Sequence, residues 1–175
     1  ELRRKLYEIP IRDIRDVEAM ATLDCDARTK LEAAEMLADA FVGVVLAAEG
    51  ADTETRLAAL AADADRVVKG EDRATDTLVK RATKDLAKDS PSGAARRPFH
   101  WPLEFPDVFH GASPGFNAIV GNPPFLGGSR ITGVTGDAYR EWLVAHIAEG
   151  RRGTADLVTY FFLRAWSLLA DGGSF

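Results

Sequence analysis

Asn122, Pro123, Pro124 and Phe125 form the stretch of this chain whose residue types could do chemistry. Neither proline can donate a backbone hydrogen bond, and both hold φ fixed, so the segment is a stiff loop. It offers an amide side chain, an unpaired backbone carbonyl at Pro123 and a ring face, which together suit ligand binding. The element that must deliver it is the run Phe116, Ala118, Ile119 and Val120, bounded by Gly115 and Gly121. A short apolar run with a β-branched pair and glycine at both ends reads as a buried strand. The proline pair ends that strand. A loop at the C-terminal end of a strand lies where open α/β sheets bind ligands.

Composition bounds the alternatives. The chain has 175 residues, 46% apolar and 28% charged, which is ordinary for one globular domain or slightly more. Its net charge of −5 is not that of a self-sufficient nucleic-acid binder. The single cysteine, Cys25, excludes an internal disulfide, supplies no thiolate metal cluster and suits a cytoplasmic protein. No apolar run approaches a membrane span, and there is no signal-peptide pattern or internal repeat.

Residues 1–90 read as a helical segment. A first helix breaks near Pro10. A second, capped by Asp26 or Thr29, runs to about Ala48 and ends at Glu49-Gly50; Leu31, Leu37, Phe41, Val44 and Val45 recur at helical spacing on it, with Phe41 and Met36 as core. A third starts at Thr53 or Thr55 and runs through Lys69, and a fourth spans Glu71 to about Lys88, with Leu78, Ala82 and Leu86 inside. On the fourth, Lys80, Arg81, Lys84 and Lys88 could form a basic ridge, but the interleaved acids favour a solvated, salt-bridged face. Residues 91–98, within Asp89–Pro98, are rich in Pro, Gly and Ser and read as a linker.

Residues 99–175 follow. Phe99, His100, Trp101, Phe105 and Phe109, set among Pro102 and Pro106, predict an irregular segment over an apolar face, with a short edge strand. His100 and His110 lack a ligand framework around them. Residues 126–136, with four glycines, read as a loop carrying Arg130. Asp137 caps a helix to about Ala148 with Tyr139, Trp142, Leu143, His146 and Ile147 on its buried side. Thr154 caps another, Ala155 to Ala170, that lies against the sheet and carries Asp156 and Tyr160 one turn apart. The chain begins on Glu1 and stops at Asp171-Gly-Gly-Ser-Phe175, a helix-ending glycine pair followed by the first residues of a further strand, so it reads as a fragment of a longer protein.

Asn122-Pro-Pro-Phe125 at a strand end resembles the catalytic motif of the S-adenosylmethionine-dependent amino-methyltransferases, particularly the adenine-N6 DNA methyltransferases of type IIG-like restriction–modification systems. Phe99–Phe109 upstream, Phe125-Leu-Gly-Gly128 and Gly153-Thr-Ala-Asp-Leu-Val-Thr-Tyr-Phe-Phe162 downstream are similar to the same group. The resemblance covers Phe99–Phe175 closely and the earlier part in general style.

The resemblance implies a mostly helical α/β fragment, in which 99–175 is part of a Rossmann-like methyltransferase domain truncated at its C-terminus. It implies S-adenosylmethionine as cofactor, with its main binding motif outside this fragment, and double-stranded DNA as partner. Asn122 and Pro123 would hold the adenine amine, Pro124 would stiffen the loop, Phe125 would stack an extruded base and Arg130 would meet DNA. The fragment alone would be inactive. His100, Glu104, Asp156 and Tyr160 receive no catalytic task. Two other readings fit the loop: a protein-glutamine methyltransferase, which usually has Tyr where Phe125 stands, and a helical interaction module in which Asn-Pro-Pro is only a turn. In the last case Asn122 would be buried or bonded within its own loop, and no cavity would open beside Phe125.

Overall fold

Pro10 does interrupt the N-terminal helix. In the computed structural model, which describes residues 2–48 and 52–175, α1 (Leu2–Glu8) stops before it and α2 (Ile14–Ala47) begins after it. Asp13 starts α2. Its carboxylate accepts from the Arg15 amide at 2.7 Å, and Asp16 reaches back to the Asp13 amide at 3.2 Å, forming a capping box. The expected start at Asp26 or Thr29 is corrected accordingly. No glycine or proline lies between Asp13 and Thr29, so nothing stops the helix once Asp13 has begun it. The expected Glu49-Gly50 terminator lies outside the described residues.

α3 (Thr53–Val68) and α4 (Ala74–Ala87) pack on the second half of α2. Ala40, Val44, Leu60, Leu78 and Ala82 form the buried core, flanked by Met36, Leu37, Leu57 and Val67. Phe41 does not join it and is 52% exposed, because it stands next to Ala40 and so about 100° round the helix from the buried stripe. Gly43 allows the close approach of α2 to α4: a Cβ there would stand 3.1 Å from Cβ of Asp85. Charges cross the α3–α4 seam. Arg56 meets Asp85 at 2.7 Å and Arg81 meets Asp63 at 2.5 Å. Lys88 donates to the Ala47 carbonyl at 2.8 Å. Two of the four ridge cations are therefore engaged inside the bundle.

The segment from Phe99 contains two one-turn helices, α5 (Trp101–Glu104) and α6 (Pro106–Phe109), where an edge strand was expected. Each has proline in its first turn, a position where the missing N–H costs nothing. β1 (Phe116–Ala118) pairs in parallel with β2 (Leu169–Ser174), with Phe116 opposite Leu169, Ala118 opposite Ser174 and an irregularity between. The strand is shorter and more open than the apolar run predicts. Val120 lies beyond the end of β1 and is 98% exposed.

Between the strands lie α7 (Gly128–Thr135), α8 (Asp137–Trp142), a π-helical turn (Leu143–Ile147) and α9 (Leu157–Leu168). α7 replaces the expected loop. Ile131 on it is fully buried against Leu143 and Tyr160, and that burial outweighs the helix penalty of its glycines. Gly136, with φ +88°, occupies the cap position of α8, so Asp137 is the first helical residue and not its cap. His146 is exposed on the π-helical turn, contrary to the buried side expected for it. α9 ends at Leu168 and not at Ala170, because the backbone from Leu169 is taken up by pairing with β1.

The proline- and glycine-rich stretch after α4 is tied down. The Arg96 guanidinium donates to the carbonyls of Leu86 at 3.1 Å, Lys88 at 2.7 Å, Asp89 at 2.9 Å and Thr135 at 2.7 Å. Asp89 in turn accepts from the Ala138 amide at 2.7 Å. One arginine thus joins the end of α4 to the α7–α8 corner. Among the described residues, no helix is long and apolar enough to cross a membrane.

Candidate functional site

β1 delivers the Asn122-Pro-Pro-Phe125 loop, and Phe116 is what fixes β1. Its ring meets Trp101, Phe105 and Phe109 edge-on, with centroids 5.6, 5.3 and 5.4 Å away. The aromatic stretch therefore does lie over an apolar face, and that face belongs to the strand before the loop. Such edge-to-face pairs add about 0.5–1.5 kcal/mol each beyond the area they bury.

The loop is held at both ends. On the strand side the Ile119 amide donates to the Ser174 carbonyl at 3.0 Å. On the far side the Leu126 amide donates to Oδ1 of Asp156 at 3.0 Å, and the Leu126 carbonyl accepts from the Leu157 amide at 2.9 Å. The same Asp156 oxygen caps α9 by accepting from the Val158 amide at 3.0 Å. Asp156, not Thr154, is thus the cap of that helix. Among the described residues, no backbone hydrogen bond involves residues 120–125.

Within that span Asn122 is exposed, and its amide makes no hydrogen bond among the described residues. It is neither buried nor bonded within its own loop, unlike the amide of a mere turn, whereas neither concavity described below opens beside Phe125, as a mere turn would have it. Pro123 is half-buried, Pro124 exposed and Phe125 78% exposed. Arg130 is exposed on α7 and makes no ion pair among the described residues.

Two concavities lie elsewhere. One, of ≈ 720 Å³, sits where the end of α2 faces α8 and includes Lys88, Asp137 and Trp142. The other, of ≈ 570 Å³, lies between α2 and α4. His100 pairs with Asp39 at 2.7 Å and so fastens the aromatic segment to α2, while His110 is exposed. Among the described residues, no group of three His, Cys, Asp or Glu could hold a metal ion.

Sequence reasoning gave Asp156 no task, although an Asp directly before an apolar helix is an ordinary capping signal. Tyr160 is buried, receives a hydrogen bond from Arg140 and belongs to the core under α7. Arg140 also donates to the Gly153 carbonyl at 2.6 Å, so α8 holds the approach to α9.

Residues 32–175 match a protein-family model described as Eco57I restriction-modification methylase. No curated protein and no solved structure matches the chain.

Proposed function

Since the chain belongs to the Eco57I restriction-modification methylase family, we propose that it carries the base-binding side of an adenine-N6 DNA methyltransferase that uses S-adenosylmethionine. The observation that carries this reading is the state of Asn122: exposed, unbonded, and set in a loop fastened at Ile119 and Leu126. An exocyclic amine conjugated to a purine is a poor nucleophile. Acceptors on its two N–H groups return electron density to nitrogen and hold it in line for attack. The Asn122 side-chain oxygen is one acceptor and the Pro123 carbonyl the other. The proline pair fixes both before the base arrives, so little reorganisation accompanies reaction. Phe125 presents an open ring face on which an extruded adenine stacks. Arg130 is the cation for a DNA phosphate.

S-adenosylmethionine supplies the electrophilic methyl group when bound. The residues named here form the base side, and neither of the two concavities above borders the loop. The parallel pairing of β1 and β2 through intervening helices supports a Rossmann-like arrangement over 99–175, with 1–90 a helical segment and 91–98 the connection. Double-stranded DNA is the partner and the cytoplasm the location.

The test is transfer from methyl-labelled S-adenosylmethionine to unmethylated DNA by the intact protein, with and without Asn122→Ala. Label on adenine N6, falling on the order of a hundredfold or more in the variant, is the expected result. Transfer that survives the substitution removes Asn122 from the mechanism. Label on protein and none on DNA would favour the glutamine enzyme.

A further inference from the structure

The far end of the loop is fixed by the Asp156 carboxylate, which also caps α9. We propose that Asp156 is a positioning residue for methyl transfer, acting through Leu126 on Asn122 and Phe125; this rests on the methyltransferase reading above.

Three contacts converge on the place where the loop meets the start of α9. Asp156 Oδ1 is shared between the Leu126 and Val158 amides, each at 3.0 Å. The Leu157 amide closes a second bond onto the Leu126 carbonyl at 2.9 Å. Gly128 lies so close to the backbone of Thr154 and Ala155 that a Cβ there would collide with both carbonyls. Residues 126–128 and 154–157 therefore lie backbone against backbone, with Asp156 as the side chain that bonds both.

Leverage follows from chain stiffness. Phe125 is one residue from the anchored amide, and Pro123 and Pro124 hold φ fixed between it and Asn122. A displacement at Leu126 is carried towards the Asn122 amide and the Pro123 carbonyl because two of the intervening torsions are not free to absorb it. The strand-side anchor is a single bond, from Ile119 to Ser174. Residues 120–125 have no other backbone bond among the described residues, so Asp156 limits how far they move. Misplacing a reacting group by about 1 Å can cost on the order of a hundredfold in rate.

Capping and positioning can be separated. Serine is a good helix cap, but its hydroxyl stands one bond short of the carboxylate oxygen. Asp156→Ser therefore keeps the cap and gives up the bond to Leu126, whereas Asp156→Asn keeps an acceptor in the same place. In the intact protein, steady-state methylation of unmethylated DNA should show Asp156→Ser and Asp156→Ala losing roughly ten- to a hundredfold in kcat. KM for DNA should be little changed, and Asp156→Ser should melt near the wild type. Asp156→Asn should recover most of kcat. Asn122→Ala combined with Asp156→Ser should be slower than Asn122→Ala alone by less than the factor Asp156→Ser costs on its own, because one of the positioned groups is already gone. Wild-type kcat in Asp156→Ser, or a double variant slowed by the product of the two single effects, would overturn the proposal. If Asn122→Ala is slow and Asp156→Ser is not, the positioning role alone fails. If Asn122→Ala is itself fully active, the catalytic reading fails and the positioning role falls with it.

Discussion

In the bundle of α2, α3 and α4, Leu78 is fully buried and Val44 is 1% exposed, whereas Phe125 and Val120 in the loop region are 78% and 98% exposed. The two regions also treat polar groups in opposite ways. Arg56, Asp63, Arg81 and Asp85 are paired across the α3–α4 seam, while Asn122 and Arg130 have no side-chain partner among the described residues. The bundle turns its charges on one another, although Nε of Arg56 and Oδ2 of Asp63 and of Asp85 are buried there without a hydrogen bond among the described residues. A loop whose amide and ring are open, yet whose ends are fixed, fits the base binding proposed above. The difference suggests that the bundle contributes stability and the loop contributes chemistry, and equal truncations in the two should separate these.

The largest contrast is between Leu78→Ala and Phe125→Ala. The first empties a fully buried site and should cost about 2–5 kcal/mol in urea unfolding, with activity per folded molecule unchanged. The second removes an exposed ring and should stay within about 0.5 kcal/mol in stability. It should lower methylation roughly five- to a hundredfold, the equivalent of about 1–3 kcal/mol of base stacking. If Phe125→Ala destabilises as much as Leu78→Ala, the ring is structural and the comparison breaks.

The junction is the next place to press. Arg96→Met keeps much of the aliphatic stem and removes donors to four carbonyls of α4, the following turn and the end of α7. Charged donors to carbonyls contribute more than neutral ones, so a loss of about 2 kcal/mol is expected. Because Arg96 bonds both regions, unfolding followed separately by the fluorescence of Trp101, Trp142 and Trp166, all in residues 99–175, and by helical circular dichroism should cease to coincide. Coincident transitions in the variant would show that Arg96 does not couple them.

How much of this the sequence carried depends on the range of the interaction. The Asn-Pro-Pro-Phe loop, the break at Pro10 and the Leu78–Ala82–Leu86 stripe were legible because each depends on residues within a turn or two. α7 was not, since its glycines argue for a loop and only Ile131 meeting Leu143 and Tyr160 makes it a helix. α2 began earlier than its apolar stripe because capping at Asp13 and an unbroken sequence need no core. The Gly172-Gly173 pair looked like a helix end but lies in β2, where pairing with β1 decides the backbone. The anchors of the loop were least legible: Leu126 and Asp156 are 30 residues apart, and neither signals the other.

The smallest expected effect concerns the core beneath α7. Tyr139 stacks on Trp142 with ring centroids 6.0 Å apart and packs against the Ile131–Leu143–Tyr160 cluster. Burial pushes its phenol above the ordinary tyrosine value, and the nearby Arg96 charge offsets part of that rise. A folded-state pKa raised above the unfolded one means the folded chain holds its proton more tightly. The stabilisation is fully present below the unfolded value, about 10, and is lost as pH rises through the folded value. Stability should therefore fall at alkaline pH more steeply in the wild type than in Tyr139→Phe, which has no proton to lose. Urea midpoints compared from about pH 8 to 11 would check this, since lysines and the remaining tyrosines titrate in both proteins and cancel in the difference. Parallel curves would mean that the Tyr139 hydroxyl is not held in the core. If Arg96→Met steepens the alkaline fall, Arg96 both joins the bundle to the α7–α8 corner and eases the ionisation of the ring behind it.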